Sequence, residues 1–255
     1  MIRDSKRKQW ASSSPDLYPE IGFERTLGKV ILDIIALSGR EIILSDESTD
    51  LFSASFRKDR RIVELWTAAD ERIFISHFSM RGMLFAFHLS SDLREVARAV
   101  ESWLMDELTL RDMKQRVPNL DVSELCFETE AGRGVEARWN NLLLVPYDND
   151  PIRASWLDPE CGALIRAASH RPLLRQLVPL VDQGCTLLFS RTLGYPYTIA
   201  GDCGIWATGG RYIAVKKDGS HLAEGTPEEM LDVLEGTLPP DIGPAIFGTA
   251  DDLVA

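Results

Sequence analysis

Apolar residues recur at helical spacing early in the chain and at alternate positions soon after. Phe23, Leu27, Ile31, Ile34 and Ile35 share one helical face, which predicts a helix over Glu20–Ser38, entered through Pro15-Asp16-Leu17-Tyr18-Pro19 and stopped by Gly39. Short strands come next. Ser53–Phe56 and Arg61–Trp66 flank the charged turn Arg57-Lys58-Asp59-Arg60, and Arg72–Phe78 and Met83–His88 flank a turn holding Gly82. Ser90-Ser91-Asp92 caps a helix that runs to Met105 and buries Leu93, Val96, Val100 and Leu104. A short helix over Leu108–Arg116 ends before Pro118.

The second half repeats these textures. Val135–Leu144 reads as helix, Pro146–Pro151 as a polar loop, Pro159–His170 as helix and 173–177 as one further turn. Cys185–Ser190 and Arg211–Lys216 read as strands. The latter is closed by Lys217-Asp218-Gly219-Ser220, whose Asp-Gly pair favours a hairpin, and Leu222-Ala223 starts the returning strand. Thr226-Pro227-Glu228-Glu229 supplies a cap, a first-turn proline and first-turn acids to a helix ending near Glu235.

At an offset of 137, Leu51-Phe52-Ser53 falls on Leu188-Phe189-Ser190, Gly82 on Gly219, Ala86 on Ala223 and Val96 on Val233. The fold class is therefore α+β, with antiparallel sheets and flanking helices. It is either two tandem helix–four-strand–helix units or one α+β domain with two matching hairpins. The division that follows is a tail at 1–16, units at 17–120 and 121–240, and a loose C-terminal tail at 241–255.

Composition narrows the function classes. The 255 residues carry a net charge of −11, which repels phosphate backbones, so nucleic acid is not an expected partner. The one basic cluster, Arg3, Lys6, Arg7 and Lys8, sits beside Ser12-Ser13-Ser14-Pro15 and reads as a solvated tail. The apolar stretch Val30–Leu37 is interrupted by Asp33 and is far short of the roughly 18 residues of a membrane helix, so no membrane partner is expected. Cys126, Cys161, Cys185 and Cys203 form no Cys-x-x-Cys pair. They read as four free thiols in a reducing compartment, with a zinc site or a disulfide set as the alternative, and the expected location is cytoplasmic.

Chemistry-bearing motifs are sparse. His77, His88, His170 and His221 form no zinc-binding spacing; His77 and His88 flank one hairpin and face each other if the turn centres on Gly82-Met83. Gly132-Arg133-Gly134 lacks the ending of a phosphate loop and the third glycine of a dinucleotide fingerprint, so no cofactor is expected. Glu228, Glu229, Asp232 and Glu235 form a solvated helix face. Two aromatic features stand out. Phe74, Phe78, Met80, Met83, Phe85 and Phe87 crowd one hairpin, and simple alternation puts Phe85 and Phe87 on one face. Either all of them pack in the core, or the second face meets another sheet or a partner. Gly194-Tyr195-Pro196-Tyr197, with Trp206, makes either an aromatic ledge for a peptide or small ligand or a loop packed over the sheet.

Several phrases occur in an order that resembles a bacterial family, the domain of unknown function 6193. They are residues 17–20 (LYPE), 92–99 (DLREVARA), 102–103 (SW), 136–139 (EARW), 174–179 (LRQLVP), 189–192 (FSRT) and 194–196 (GYP). Members often carry Ser-His before the glycine of the Phe-Ser strand, where this chain has Asp182-Gln183 before Gly184. The resemblance implies a place in natural product biosynthesis and supplies no catalytic residues. The leading expectation is a non-catalytic accessory protein that binds a peptide, carrier or enzyme through Phe85, Phe87, Tyr195, Tyr197, Trp206 and His170, with a homodimer compatible. The alternatives are an enzyme using His170, Tyr195, Tyr197 and Asp202, and an acidic immunity or resistance protein that neutralises a basic toxin.

Overall fold

The computed structural model describes residues 16–21, 25–40, 50–144, 159–182 and 185–253. The basic cluster near the N-terminus, Phe23 and the loop 146–151 lie outside them. The chain divides into two compact units, residues 1–127 and 128–255. Among the described residues are eight α-helices and two five-stranded antiparallel sheets, which makes the protein α+β. No described helix is long and apolar enough to cross a membrane.

In the first unit, helix α1 (Leu27–Ala36) begins later than the apolar spacing predicts. Thr26 takes an extended backbone and its hydroxyl accepts the Lys29 N–H, so the cap sets the start. Residues 16–21 serve a different purpose. Tyr18 is fully buried, its hydroxyl oxygen lies 3.0, 2.8 and 2.9 Å from the carbonyl oxygens of Ala68, Glu71 and Ile73, and it accepts the Ile73 N–H at 3.1 Å. Arg72 grips both Glu20 carboxylate oxygens and the Leu17 carbonyl. The 17–20 phrase thus pins the 68–73 loop.

Strands β1 (Ser53–Lys58), β2 (Arg61–Thr67), β3 (Phe74–Met80), β4 (Met83–Ser90) and β5 (Leu120–Asp121) lie side by side in chain order. Helix α2 (Leu93–Leu104), capped by Asp92, packs on β2, β3 and β4, while α1 packs on β1 and α2. Helix α3 (Leu110–Arg116) leads to β5, and α4 (Glu124–Glu130) spans the division between the units. The core holds Phe56, Val63, Leu65, Phe74 and Phe78 beneath Val96, Val100 and Trp103. Arg61 lies over the Trp103 ring at 4.4 Å and donates to the carbonyls of Trp103, Glu107 and Leu108.

Phe85 and Phe87 do not share a face. Phe78 pairs with Ala86 and Ser79 with Leu84, leaving Phe85 as an extra residue in β4. This bulge shifts the alternation by one, so Phe85 is buried against Trp103 and Phe87 is exposed. His77 and His88 also part: the first looks outward, while the second, opposite Ser76, is wholly buried.

The second unit contains α5 (Gly134–Leu144), α6 (Pro159–Ser169), α7 (Pro172–Arg175), β6 (Val178–Val181), β7 (Thr186–Ser190), β8 (Cys203–Thr208), β9 (Arg211–Lys216), β10 (His221–Gly225) and α8 (Pro227–Gly236). The five strands are again neighbours in chain order. Thr226 and Glu229 close a reciprocal capping box on α8. Leu164, Ile165, Leu187, Phe189, Ile205, Leu231 and Leu234 share one core. At the offset of 137 the β3–β4 turn coincides with the β9–β10 turn, and Gly82 and Gly219 both take left-handed φ values of 73° and 82°. Ser53, which opens β1, falls instead on Ser190, which closes β7.

Two expectations are corrected here. Residues 241–253 are not loose: Ile246 forms a parallel bridge with Thr192, the Leu193 and Gly194 N–H groups donate to Ile246 and Gly248, and Ala250–Leu253 forms a 3-10 turn. Nor are all four cysteines free. Cys161 on α6 and Cys185 before β7 form a disulfide, with Cα atoms 5.8 Å apart, while Cys126 and Cys203 are buried free thiols. The pair is 24 residues apart and meets because α6 lies on β7, a juxtaposition that spacing does not encode. Peptide mapping without reductant is expected to recover Cys161 linked to Cys185, with Cys126 and Cys203 alkylated only after unfolding; a fully free Cys161 would contradict the pairing.

His88 sets a pH dependence. Burial pushes its pKa below the ordinary histidine value, opposed by Glu95 and by the nearby Pro118 carbonyl, and neither ring nitrogen has a partner at hydrogen-bonding geometry. Because the folded pKa is the lower one, the unfolded chain binds more protons as pH falls through about 6.5, and stability falls with it. Denaturant unfolding between pH 7.5 and 5.5 should show this loss. His88→Leu should flatten the slope more than His77→Gln, whose pKa burial also lowers.

Candidate functional site

Two surfaces collect the residues of interest, one in each unit. In the first sheet, odd-numbered residues of β3 and, beyond the bulge, of β4 face away from the helices. The register places Trp66 beside Ile75 and Leu89, and Glu64 beside His77, Phe87 and Asp121. His77 meets Trp66 edge-on at 4.6 Å and Phe87 edge-on at 4.5 Å, so three rings run diagonally across three strands. Leu84, Phe87 and Leu89 remain 36%, 41% and 51% exposed. Burial between the rings lowers the pKa of His77, against the pull of Glu64, and favours neutral imidazole on an apolar face. Trp66 and His77, which complete this face, carry no signal in the 83–88 stretch; only strand register brings them in.

The tyrosine ledge is smaller than the sequence implies. Tyr195 and Tyr197 meet edge-on at 5.9 Å around a cis Tyr195–Pro196 peptide and are 70% and 40% exposed. Trp206 does not join them. It pairs with Thr186 at the start of β7, whereas the tyrosine loop leaves from Ser190 at its end, about four residues or 13 Å along the strand. Asp202 pairs with Lys217 at 3.6 Å, and His170 is exposed at the end of α6. Among the described residues, no hydrogen bond, ion pair or ring contact joins His170 or Asp202 to either tyrosine, and no group of three potential metal-binding side chains occurs.

The second cluster assembles three separate phrases around Trp139. This residue is fully buried on α5, donates its indole N–H to the Leu177 carbonyl at 3.0 Å and packs against Phe189 with ring centroids 6.0 Å apart. Arg175 lies over the same indole at 5.2 Å and pairs with Glu136 at 2.6 Å. Residues 136–139, 174–179 and 189–192 therefore form one cluster. The loop beyond β7 is tied internally: the Ser190 hydroxyl accepts the Thr192 N–H, and the Thr192 hydroxyl accepts the Thr198 N–H. A Cβ at Gly134 would lie 2.8 Å from both Leu193 Cδ1 and Thr129 Oγ1, so these side chains would have to shift for a larger residue to fit. This places the start of α5 directly on the loop.

The second unit is thus an α+β module, an antiparallel meander with helices on one face and the Trp139 cluster at its centre. Residues 133–249 match the sequence model of DUF6193, a family of unknown function, so the resemblance read from the sequence is found over this unit. The phrases at 17–20, 92–99 and 102–103 lie outside the match. No curated protein and no solved structure matches the chain.

The Trp139 cluster gives a stability prediction. Trp139→Phe removes the donor to the buried Leu177 carbonyl and should lower unfolding free energy by about 1–3 kcal/mol. Glu136→Gln, which breaks a largely exposed ion pair, should cost less than about 1 kcal/mol in the same denaturant titration.

Proposed function

We propose that this chain is a binding protein that acts without catalysis and recognises a protein or peptide partner through the open face of its first sheet. The observation that carries the reading is the diagonal of Trp66, His77 and Phe87, flanked by exposed Leu84 and Leu89, on a sheet whose other face is covered by α1 and α2. Aromatic side chains on rigid strands offer large apolar area at little entropic cost, and such residues dominate protein interfaces. Glu64 and Asp121 lie in the same row as His77 and Phe87 and supply a polar rim. Among the described residues β1 is an edge strand of this sheet, and it carries Arg57 and Lys58, which discourage pairing with unspecific strands.

The pathway context, natural product biosynthesis, rests on the family resemblance alone. It directs the choice of partners to the proteins encoded beside this one. The test is calorimetry of the purified chain against each co-encoded protein and peptide. A partner is expected whose affinity drops at least tenfold with Phe87→Lys or Leu89→Lys, about 1.4 kcal/mol or more. Leu37→Lys, which alters an exposed residue just after α1, should leave the affinity unchanged. Binding indifferent to both sheet substitutions would refute the assignment of this face.

A further inference from the structure

In a chain of net charge −11, basic side chains find acidic partners readily. In the second unit Arg133 pairs with Glu128, Arg171 with Asp232, Arg175 with Glu136 and Arg211 with Glu224. Arg138 and Arg191 depart from this pattern. Each buries its Nε from solvent without a hydrogen-bond partner, and neither forms an ion pair with a described residue. Such a group costs free energy until an acceptor reaches it. The Thr198 hydroxyl is also buried and unpartnered, and the Thr198 carbonyl accepts the Arg191 N–H at 2.8 Å, so the two residues are backbone neighbours.

The packing of α5 against β7 and its loop sets the backbone positions of the two arginines along one seam. Gly134 abuts Leu193, and one turn later Trp139 packs against Phe189. The helix therefore advances as the β7 loop is followed backwards. Arg138 lies one turn from Gly134 on the same face, about 6 Å away, and Arg191 lies two residues from Leu193, about 7 Å away in the same direction. Both offsets are within the length of an arginine side chain. Arg191 extends toward the C-terminal segment, where its Nη2 would lie 3.4 Å from a Cβ at Gly243. The nearest carboxylate on the helix, Glu136, is already held by Arg175.

We infer that Arg138, Arg191 and the Thr198 hydroxyl form an anion site for a phosphate dianion, free or as the monoester of a small molecule. Two guanidinium groups supply two positive charges and forked donors, which match a doubly charged tetrahedral oxyanion better than a single carboxylate. The site lies within the segment matched by the family model and involves none of the open face of the first sheet. Its success or failure is independent of the partner-binding proposal.

The test is a titration of the full chain with inorganic phosphate, in chloride buffer at constant ionic strength, read by thermal unfolding and by calorimetry. Saturable one-to-one binding is expected, with the midpoint rising by more than about 3 °C once phosphate exceeds its Kd roughly 100-fold. Arg138→Met and Arg191→Met should each abolish that rise. In phosphate-free buffer both variants should melt no lower than the unaltered chain, because each removes a buried Nε–H that lacks a hydrogen-bond partner. Arg211→Met should retain the response. Methyl phosphate binding as well as inorganic phosphate assigns recognition to the shared phosphoryl oxygens, and binding of inorganic phosphate alone assigns a free-phosphate site; either supports the inference. No saturable binding by the unaltered chain, equal binding of acetate, or a full response in both arginine variants overturns it. If the variants do not fold, the titration of the unaltered chain decides.

Discussion

An antiparallel strand sends successive side chains to opposite faces, and each sheet of this protein is covered by helices on one face. The rest of the structure follows from how that alternation is used. In the first unit the covered face holds Phe56, Leu65, Phe74 and Phe78 under α1 and α2. The open face is left with Trp66, Ile75, His77, Phe87 and Leu89. An alternation kept without interruption would have put Phe87 in the core with Phe85. The single-residue bulge in β4 divides them, and so creates the exposed end of the aromatic diagonal.

Around this constraint the two units solve the loop problem differently. The first ties its 68–73 loop to residues 17–20 through a buried tyrosine hydroxyl and an arginine–glutamate fork. The second ties its 190–198 loop to the C-terminal segment by backbone pairing, and to α5 by the close approach of Gly134 and Leu193. The phrase at 17–20 makes the first tie, and Thr192 and Gly194 of two further phrases make part of the second, whereas Gly134 and Leu193 lie outside the phrases. In the second unit the same packing buries the Nε atoms of Arg138 and Arg191 without a hydrogen-bond partner among the described residues, which is the observation behind the proposed anion site.

Much of the architecture was legible. Arg211–Lys216 matches its strand in full, and the Thr226 cap, the Asp92 cap and the Gly82 and Gly219 turns fall where their residue types require them. Each depends on local chemistry: a side-chain oxygen for a free N–H, or a glycine for a positive φ. The strands β5, β6 and β8 were not read. Leu120–Asp121 is too short to show a period, and Val178–Val181 and Cys203–Thr208 carry apolar or small residues without clean alternation. The residues of the candidate surfaces were legible in part. Phe87 and the tyrosine pair stand out by composition, whereas Trp66, His77, Arg138 and Arg191 look like ordinary surface or core residues until their neighbours are known.

The sequence by itself determined the α+β class, the order of most elements, the acidic charge and the family resemblance, because each depends on residues near one another or on sums over the chain. Tertiary structure alone decided which face of the first sheet stays open, that Cys161 meets Cys185, that Trp66 and His77 join Phe87, and that residues 136–139, 174–179 and 189–192 surround one indole. These are encounters between segments tens of residues apart. Strand register, one bulge and the crossing of helices over a sheet set them, and no local pattern of residue types records those quantities.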